Sequence, residues 1–432
     1  MTVHRKHIHR ALALALTAPL ALAACSSGSS GAGGGPVELE LWTHSAGNPN
    51  EEVVIDKIIA DFNASQDDYK VTKTSFPHES YNDSVTSAAT ANDLPCLLDV
   101  DAPAMPNWAW AGWLKPTGLQ ESDVADFLPS TVGTYEDEIY SVGHLEAVAA
   151  IQTRRSTLDK YGIRVPSVDK PWTGEEFAAL QEKIADSGDF DHVIDYGTIY
   201  TGEWWPYAFS PFLQSFGGDL VDRDDYQSAE GVLNGPEALA FAQWWQSQFT
   251  DGYAMKAGNQ ERTEFRDGEV AMQWTGNWDA PTNLETFDDM VFLPPPDLGQ
   301  GPVVGAGSWQ WATSSSCTEE QSEAALAYLK FSLNDSYVAE FSDQTGLIPA
   351  TSGGAAASKA GKYGPGEPFE VFTEISESYA TIRPATPAYI NIALVFEKGL
   401  RDITDGADPQ ATLDQVVSEI DADIEANGGY TS

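Results

Sequence analysis

Between Val37 and Val100 the hydrophobic period switches back and forth, and this alternation constrains the fold more than any other feature of the chain. Val37–Leu41 alternates with period two, as a strand does. Glu51–Ala64 sets Ile55, Ile58, Ile59 and Phe62 on one helical face, behind an Asn-Pro-Asn start signal. Tyr69–Phe76 predicts a second strand, Tyr81–Ala91 a small polar helix, and Cys96–Val100 a short apolar strand. A strand–helix–strand–helix–strand order calls for a largely parallel sheet with helices laid over it, because parallel neighbours need a crossover.

Later segments repeat the style. Thr173–Ala185 predicts a helix opened by Thr-Gly-Glu-Glu, and Pro236–Phe249 puts Ala238, Phe241, Ala242, Trp245 and Phe249 on one stripe. Thr318-Glu-Glu-Gln321 has capping-box spacing. Pro409–Ile424 carries Leu413, Val416, Val417, Ile420 and Ile424 on one face behind an Asp408 cap. Val291–Pro296 predicts a strand stopped by prolines, and Thr351–Gly366, rich in Gly, Ala and Ser, an exposed connection. A chain of 432 residues has room for two or three domains. No segment beyond the N-terminal leader is apolar for long enough to span a bilayer, and no internal repeat is visible.

The charge narrows the partners. With 65 acidic residues against 23 basic ones, the net charge is −42. Nucleic acid is excluded as a partner, because phosphate contacts need Lys and Arg. Binding to an anionic lipid surface is disfavoured for the same reason. No Asp-x-Asp-x-Asp-Gly loop supports a metal site, and His44, His78, His144 and His192 are scattered without ligand spacing, so neither metal nor cofactor is expected. The Gly-x-Ser-x-Gly, His-Glu-x-x-His and P-loop signatures are missing, and no catalytic residue stands out.

Tryptophan is plentiful instead, with 13 residues, several in loops rich in Gly, Pro and Asn. These are Trp108-Ala-Trp110, Trp204-Trp205-Pro206-Tyr207, Trp274-Thr-Gly-Asn-Trp278 and Trp309-Gln-Trp311. Indole faces pack on the C–H faces of sugar rings, and aromatic walls with a few placed polar groups make a small-molecule cleft. Trp113, Trp172, Trp244 and Trp245 read as core.

At the N-terminus, Arg5, Lys6 and Arg10 precede the apolar run Ala11–Ala24. At ~1.5 Å per residue that run cannot cross a ~30 Å hydrocarbon core, so residues 1–24 read as an export signal. Leu22-Ala23-Ala24-Cys25 resembles the lipobox of bacterial lipoproteins, which implies lipidation of Cys25 and anchoring on the extracytoplasmic face of the cell membrane. Residues 25–35 then comprise the lipidated cysteine and a flexible Gly/Ser tether. Cys96 and Cys317 remain, an even number in an oxidising compartment; a disulfide or two buried thiols both fit.

From Val37 onward the segments resemble, in order, the extracytoplasmic solute-binding proteins of bacterial ABC importers, in particular the sugar-binding family that includes maltose-binding protein. Leu39-Glu-Leu-Trp-Thr-His44 is similar to that family's first strand. Leu94-Pro-Cys-Leu-Leu-Asp-Val-Asp101 and Trp108-Ala-Trp-Ala-Gly-Trp-Leu114 are similar to its third strand and following helix. Phe265-Arg-Asp-Gly-Glu-Val-Ala-Met-Gln-Trp-Thr-Gly-Asn-Trp278 is the most specific match, followed by Gly305–Ala312 and Thr345-Gly-Leu-Ile-Pro-Ala350. Gln152-Thr-Arg-Arg155 departs from the family's Tyr-Asn-Lys, and Glu38 and Glu40 are unusual in a central parallel strand.

The resemblance implies an α/β, two-lobed Venus-flytrap fold, each lobe a mostly parallel sheet flanked by helices, with three crossings near Gly143–Glu146, Val304–Ser308 and Ala350–Ser358. One lobe would comprise residues 36–144 and 309–352, the other 146–304 and 356–432. Cys96 and Cys317 then share a lobe, which favours a disulfide. The ligand residues it implies are His44, Asp101 and Glu146, the platform of Trp204 or Trp205 with Tyr207, the stacking Trp278, Trp309 or Trp311, and Arg383. The implied function is capture of a sugar, an oligosaccharide by the number of aromatic platforms, for delivery to an ABC permease by a monomeric receptor without catalysis. The alternatives are a secreted carbohydrate-active enzyme (a glycosidase or lyase using two of the many acids) and a receptor for a non-sugar solute.

Overall fold

The computed structural model describes residues 35–431. The export signal, Cys25 and the tether before residue 35 lie outside the described residues. The first lobe opens with β1 (Val37–Thr43), α1 (Pro49–Ser65), β2 (Tyr69–Ser75), α2 (His78–Ala91) and β3 (Leu97–Asp101). β1 pairs in parallel with both β2 and β3, as the alternating pattern requires. The Asn48 side chain caps α1, Pro49 stands at its first turn, and Ile55, Ile58, Ile59 and Phe62 are buried. Glu38 and Glu40 are exposed and reach Lys70 and Thr74 on β2. β3 joins β1 only at Leu41 and Trp42, so the acidic end of β1 is not enclosed between two neighbours.

The chain continues through α3 (Met105–Trp110), β4 (Leu114–Lys115), β5 (Val132–Tyr135) and β6 (Glu138–Val142), and β7 (Leu145–Glu146) leads into the second lobe. There follow β8 (Ala149–Arg154), α4 (Arg155–Lys160), α5 (Gly174–Ala185), β9 (His192–Asp195), α6 (Trp204–Phe216) and α7 (Pro236–Thr250). Next come α8 (Glu264–Asp267), β10 (Val270–Gly276), α9 (Ala280–Thr286), β11 (Met290–Leu293) and β12 (Val304–Ala306). The chain re-enters the first lobe as β13 (Trp309–Ser314), α10 (Glu319–Ser332) and α11 (Asp335–Thr345), then turns through β14 (Ile348–Pro349) and α12 (Ser352–Ala357). It ends in the second lobe with α13 (Glu370–Tyr379), β15 (Ala380–Ile382), α14 (Tyr389–Thr404) and α15 (Pro409–Ala426). Capping boxes at Thr173/Glu176 and Thr318/Gln321, and the Asp408 cap, open α5, α10 and α15 as their spacing predicts.

Each lobe has its own sheet. The first is seven-stranded, in the order β2-β1-β3-β13-β6-β5 with β4 also on β13; the second is four-stranded, β11-β8-β10-β9. Within these two sheets only β2-β1-β3 and β10-β9 are parallel. β13 runs antiparallel to β3 and β6, and β8 antiparallel to β10 and β11, so the sheets are mixed rather than mostly parallel. The reason is topological: β13 and β8 each enter their lobe directly from a crossing, without the covering helix that would let them run parallel to their neighbours.

The crossings pair with one another or with neighbouring strands. β7 and β14 form a two-stranded antiparallel ribbon, Glu146 opposite Ile348, and β12 pairs in parallel with β15. The first part of the expected exposed connection, Ser352–Ala357, is the helix α12, while residues 358–366 form an irregular, partly exposed stretch. The Thr351 hydroxyl caps α12 by accepting from Gly354 N and donates to Asp335. Its glycines permit close packing rather than freedom: a Cβ on Gly354 would stand 2.5 Å from Val338 Cγ1 on α11. α12 therefore packs on the first lobe, and the expected lobe boundary at 352–356 falls inside it. A disulfide joins Cys96, just before β3, to Cys317, just before α10, with Cα atoms 4.8 Å apart.

Candidate functional site

The cleft ends of β1, β3 and β13 build the first wall, since open α/β sheets present side chains to ligands at strand ends. His44 follows β1. Its backbone N–H and its Nδ1 both donate to Asp99 Oδ2, at 3.1 and 2.8 Å, and its Nε2 stands 3.4 Å from Glu51 Oε2. Its ring lies flat on Trp309, centroids 3.9 Å apart. Burial opposes a charge on His44, but the Asp99 hydrogen bond and the Glu51 charge outweigh it and raise its pKa above the ordinary value. His78 stands edge-on to both rings, and burial, helped by the charge of His44, lowers its pKa. With both nitrogens engaged and one face covered, His44 backs Trp309 instead of presenting a free polar group.

The second wall is α6 and the turn after β10. Trp278 lies 6.1 Å from Tyr207 and 6.0 Å from Trp204, ring to ring. Gly276 permits this: a Cβ there would meet the Trp278 ring at 1.9 Å. Below Trp204 runs a buried ion pair, Arg262 to Asp195 at 2.7 Å, with the guanidinium carbon 5.8 Å from the indole centroid.

Between the walls, Arg383 pairs with Glu203 of the second lobe and stands 3.7 Å from Asp101 of the first. Tyr389 donates to the same Glu203 oxygen, and the Arg383 guanidinium carbon lies 5.1 Å from the Tyr207 ring centroid. Burial, reinforced by the Asp101 charge, pushes Glu203 up to about 7 against the pull of Arg383. On the β7–β14 ribbon, Glu146 is buried and accepts hydrogen bonds from Ser130 and from Ser376 on α13; burial raises its pKa against those two hydroxyls.

The structure thus gathers Asp101, Glu146, Trp204, Tyr207, Trp278, Trp309 and Arg383 at or beside the space between lobes, with His44 behind Trp309. Two expected contacts are corrected. Trp205 is a core residue: its Nε1 donates to Tyr200 O at 2.8 Å and Arg401 lies over its ring. Adjacent positions on a helix point ~100° apart, so Trp204 and Trp205 cannot both face the platform. Trp311 sits two residues further from the cleft end of β13, stacked on Tyr328 of α10 at 5.4 Å within the first-lobe core. Glu203, Asp99, Glu51 and Tyr389 were not foreseen. The position of Glu203 directly before Trp204-Trp205-Pro206-Tyr207 was the only local signal for it. A depression of about 760 Å³ on the second lobe, lined by Gln214, Asp219, Glu237 and Tyr379 among others, shares none of the cleft residues.

Residues 57–365 match the family described as bacterial extracellular solute-binding protein. Among solved structures, the cyclic alpha-maltosyl-1,6-maltose binding protein of Arthrobacter globiformis is 21% identical with a TM-score of 0.75, the alignment covering 91% of this chain and 100% of that one. The GacH receptor of Streptomyces glaucescens, solved unliganded and with acarbose, is 18% identical with a TM-score of 0.75, covering 92% and 100%. The maltose/maltodextrin-binding domain MalE of Bdellovibrio bacteriovorus, bound to maltotriose, is 19% identical with a TM-score of 0.73, covering 90% and 100%. These likenesses establish a shared two-lobed fold. A curated relative, outer membrane porin N of Escherichia coli (strain K12), is 28% identical over 265 residues, 57% of this chain. The chain spans 62% of that relative's length. The described sheets here are open and partly parallel, unlike the closed antiparallel barrels that cross outer membranes.

Proposed function

The chain belongs to the family of bacterial extracellular solute-binding proteins, and on that premise we propose that it captures an oligosaccharide between its lobes and delivers it unaltered to the permease of an ABC importer. The observation that carries this reading is the pairing of two aromatic walls across a polar seam. His44-backed Trp309 stands on one lobe, Trp278 with Tyr207 and Trp204 on the other, and Asp101, Arg383 and Glu203 lie between. Stacking faces with a few placed hydrogen-bonding groups suit a sugar ring. The ligands named for the proteins of like fold (cyclic alpha-maltosyl-1,6-maltose, acarbose and maltotriose) agree with it.

The receptor acts as a monomer and is not an enzyme. Asp101, Glu146 and Glu203 are each held by the protein's own side chains, which ties up the carboxyl groups that hydrolysis of a glycosidic bond would need. Ligand closes the lobes about the β7–β14 ribbon, a hinge motion. Cys25 carries the lipid that keeps the protein on the extracytoplasmic face of the cell membrane. The tether raises its effective concentration at the permease without altering its affinity for sugar.

Calorimetry with product analysis, run across a glycan panel and a peptide panel, tests the reading. The expected result is stoichiometric binding of an unchanged oligosaccharide, which at one hundred times its Kd adds about 2.7 kcal/mol of stability. Turnover of the glycan, or thermal shifts from peptides alone, would overturn it.

A further inference from the structure

We infer that the cleft prefers a sugar bearing a protonated amine over its neutral counterpart and rejects acidic sugars, an inference that rests on the sugar-binding reading above. The argument starts from a charge imbalance inside a buried seam. Asp101 and Glu203 share the single guanidinium of Arg383. Glu146 lies close enough for its charge to act on Tyr207, as do those of Arg383 and Asp101. Two carboxylates therefore share one guanidinium, and a third, Glu146, lies near the same tyrosine. The imbalance continues along the first-lobe wall, where Asp99 and Glu51 have only His44 between them.

A second observation is independent of charge. The Tyr207 hydroxyl and the Nε of Arg383 are buried without a hydrogen-bond partner among the described residues, in side chains only 6% and 5% exposed. Native structures rarely leave such groups unpaired, and each one calls for an explanation. Their chemistry differs in a useful way. Arg383 Nε can only donate, so it needs an acceptor such as a sugar hydroxyl or ring oxygen. The Tyr207 hydroxyl can accept, so it suits an ammonium N–H. An amino sugar offers both, and its ammonium pairs with Asp101 and favours the ionised forms of Glu203 and Glu146 against their burial. A uronate could satisfy Arg383 Nε, but its charge would face three carboxylates where charges interact more strongly than in water.

The test uses the full chain at pH 6.5 and an array of oligosaccharide backbones, each in amine, N-acetylated and uronate form, read by thermal shift and then calorimetry. On the backbone that binds, the amine form should bind at least tenfold tighter than the N-acetylated form, with no binding of the uronate. Raising the pH to 9, which deprotonates the amine, should bring the two forms within about twofold, and Glu146→Gln should do the same at pH 6.5. Equal binding of amine and N-acetylated forms, binding of the uronate, or a preference that survives both pH 9 and Glu146→Gln would overturn the inference while leaving sugar binding in place. Binding of no glycan in any form would overturn both.

Discussion

The imidazole of His44 and the indole of Trp309 lie face to face, centroids 3.9 Å apart and planes 11° from parallel. The pair joins the end of β1 to the start of β13, and Asp99 and Glu51 clamp the imidazole from either side. His44→Ala should therefore loosen Trp309 and weaken ligand binding several-fold, about 1 kcal/mol, the range of an aromatic pair. Calorimetry gives the affinity, and a tryptophan-fluorescence change in the ligand-free variant separates loss of support from loss of a direct contact.

On the opposite wall, Trp278 packs against Tyr207 and Trp204 with Gly276 beneath it. Trp278→Ala should weaken binding at least tenfold, about 1.4 kcal/mol. Gly276→Ala should act in the same direction, because the added methyl displaces the ring. Unchanged affinity in both would return Trp278 to a packing role.

Glu203 predicts a pH signature. Its pKa is raised from the ordinary glutamate value to about 7, by burial first and the Asp101 charge besides. A raised folded-state pKa means that the folded chain holds its proton more tightly than the unfolded chain. That stabilisation is complete below the ordinary value of 4.5 and is lost as pH rises through about 7. Glu203→Gln has no proton to lose. Between pH 5 and pH 8 the Tm of the wild type should accordingly fall relative to that of Glu203→Gln; parallel curves would show that Glu203 titrates normally.

The Cys96–Cys317 bond closes a loop with a sequence separation of 221, so by chain entropy its removal costs up to about 5 kcal/mol. The double variant Cys96→Ala, Cys317→Ala should show a markedly lower Tm by calorimetry. Affinity should hold at temperatures where it remains folded, because the bond lies behind β3 and away from the cleft.

If Cys25 carries the lipid, Cys25→Ala should release the protein from the membrane fraction, leave sugar affinity unchanged and impair uptake. Fractionation, calorimetry and a transport assay read the three effects separately.

The order of elements was legible in the sequence because hydrophobic period is a local property. The face of α1 with Ile55, Ile58, Ile59 and Phe62, the Thr173 and Thr318 caps and the stripe of α7 all appear within a few residues of one another. The richness in tryptophan was equally plain, and it pointed to an aromatic cleft. Which indole faces that cleft was a tertiary matter. Trp204 and Trp205 are neighbours in composition and chemistry, yet one borders Trp278 and the other lies under Arg401; Trp309 and Trp311 divide in the same way. Burial against a core and burial against a partner lobe leave the same apolar pattern, so periodicity cannot separate them. Thr351–Ala357 shows a related limit, since glycines that permit close packing on α11 look the same as glycines that permit freedom. The polar seam was the least legible part. Asp101, Glu203 and Arg383 are widely separated along the chain and meet only after it has crossed between the lobes, and a charge carries no mark of the distant partner that will neutralise it.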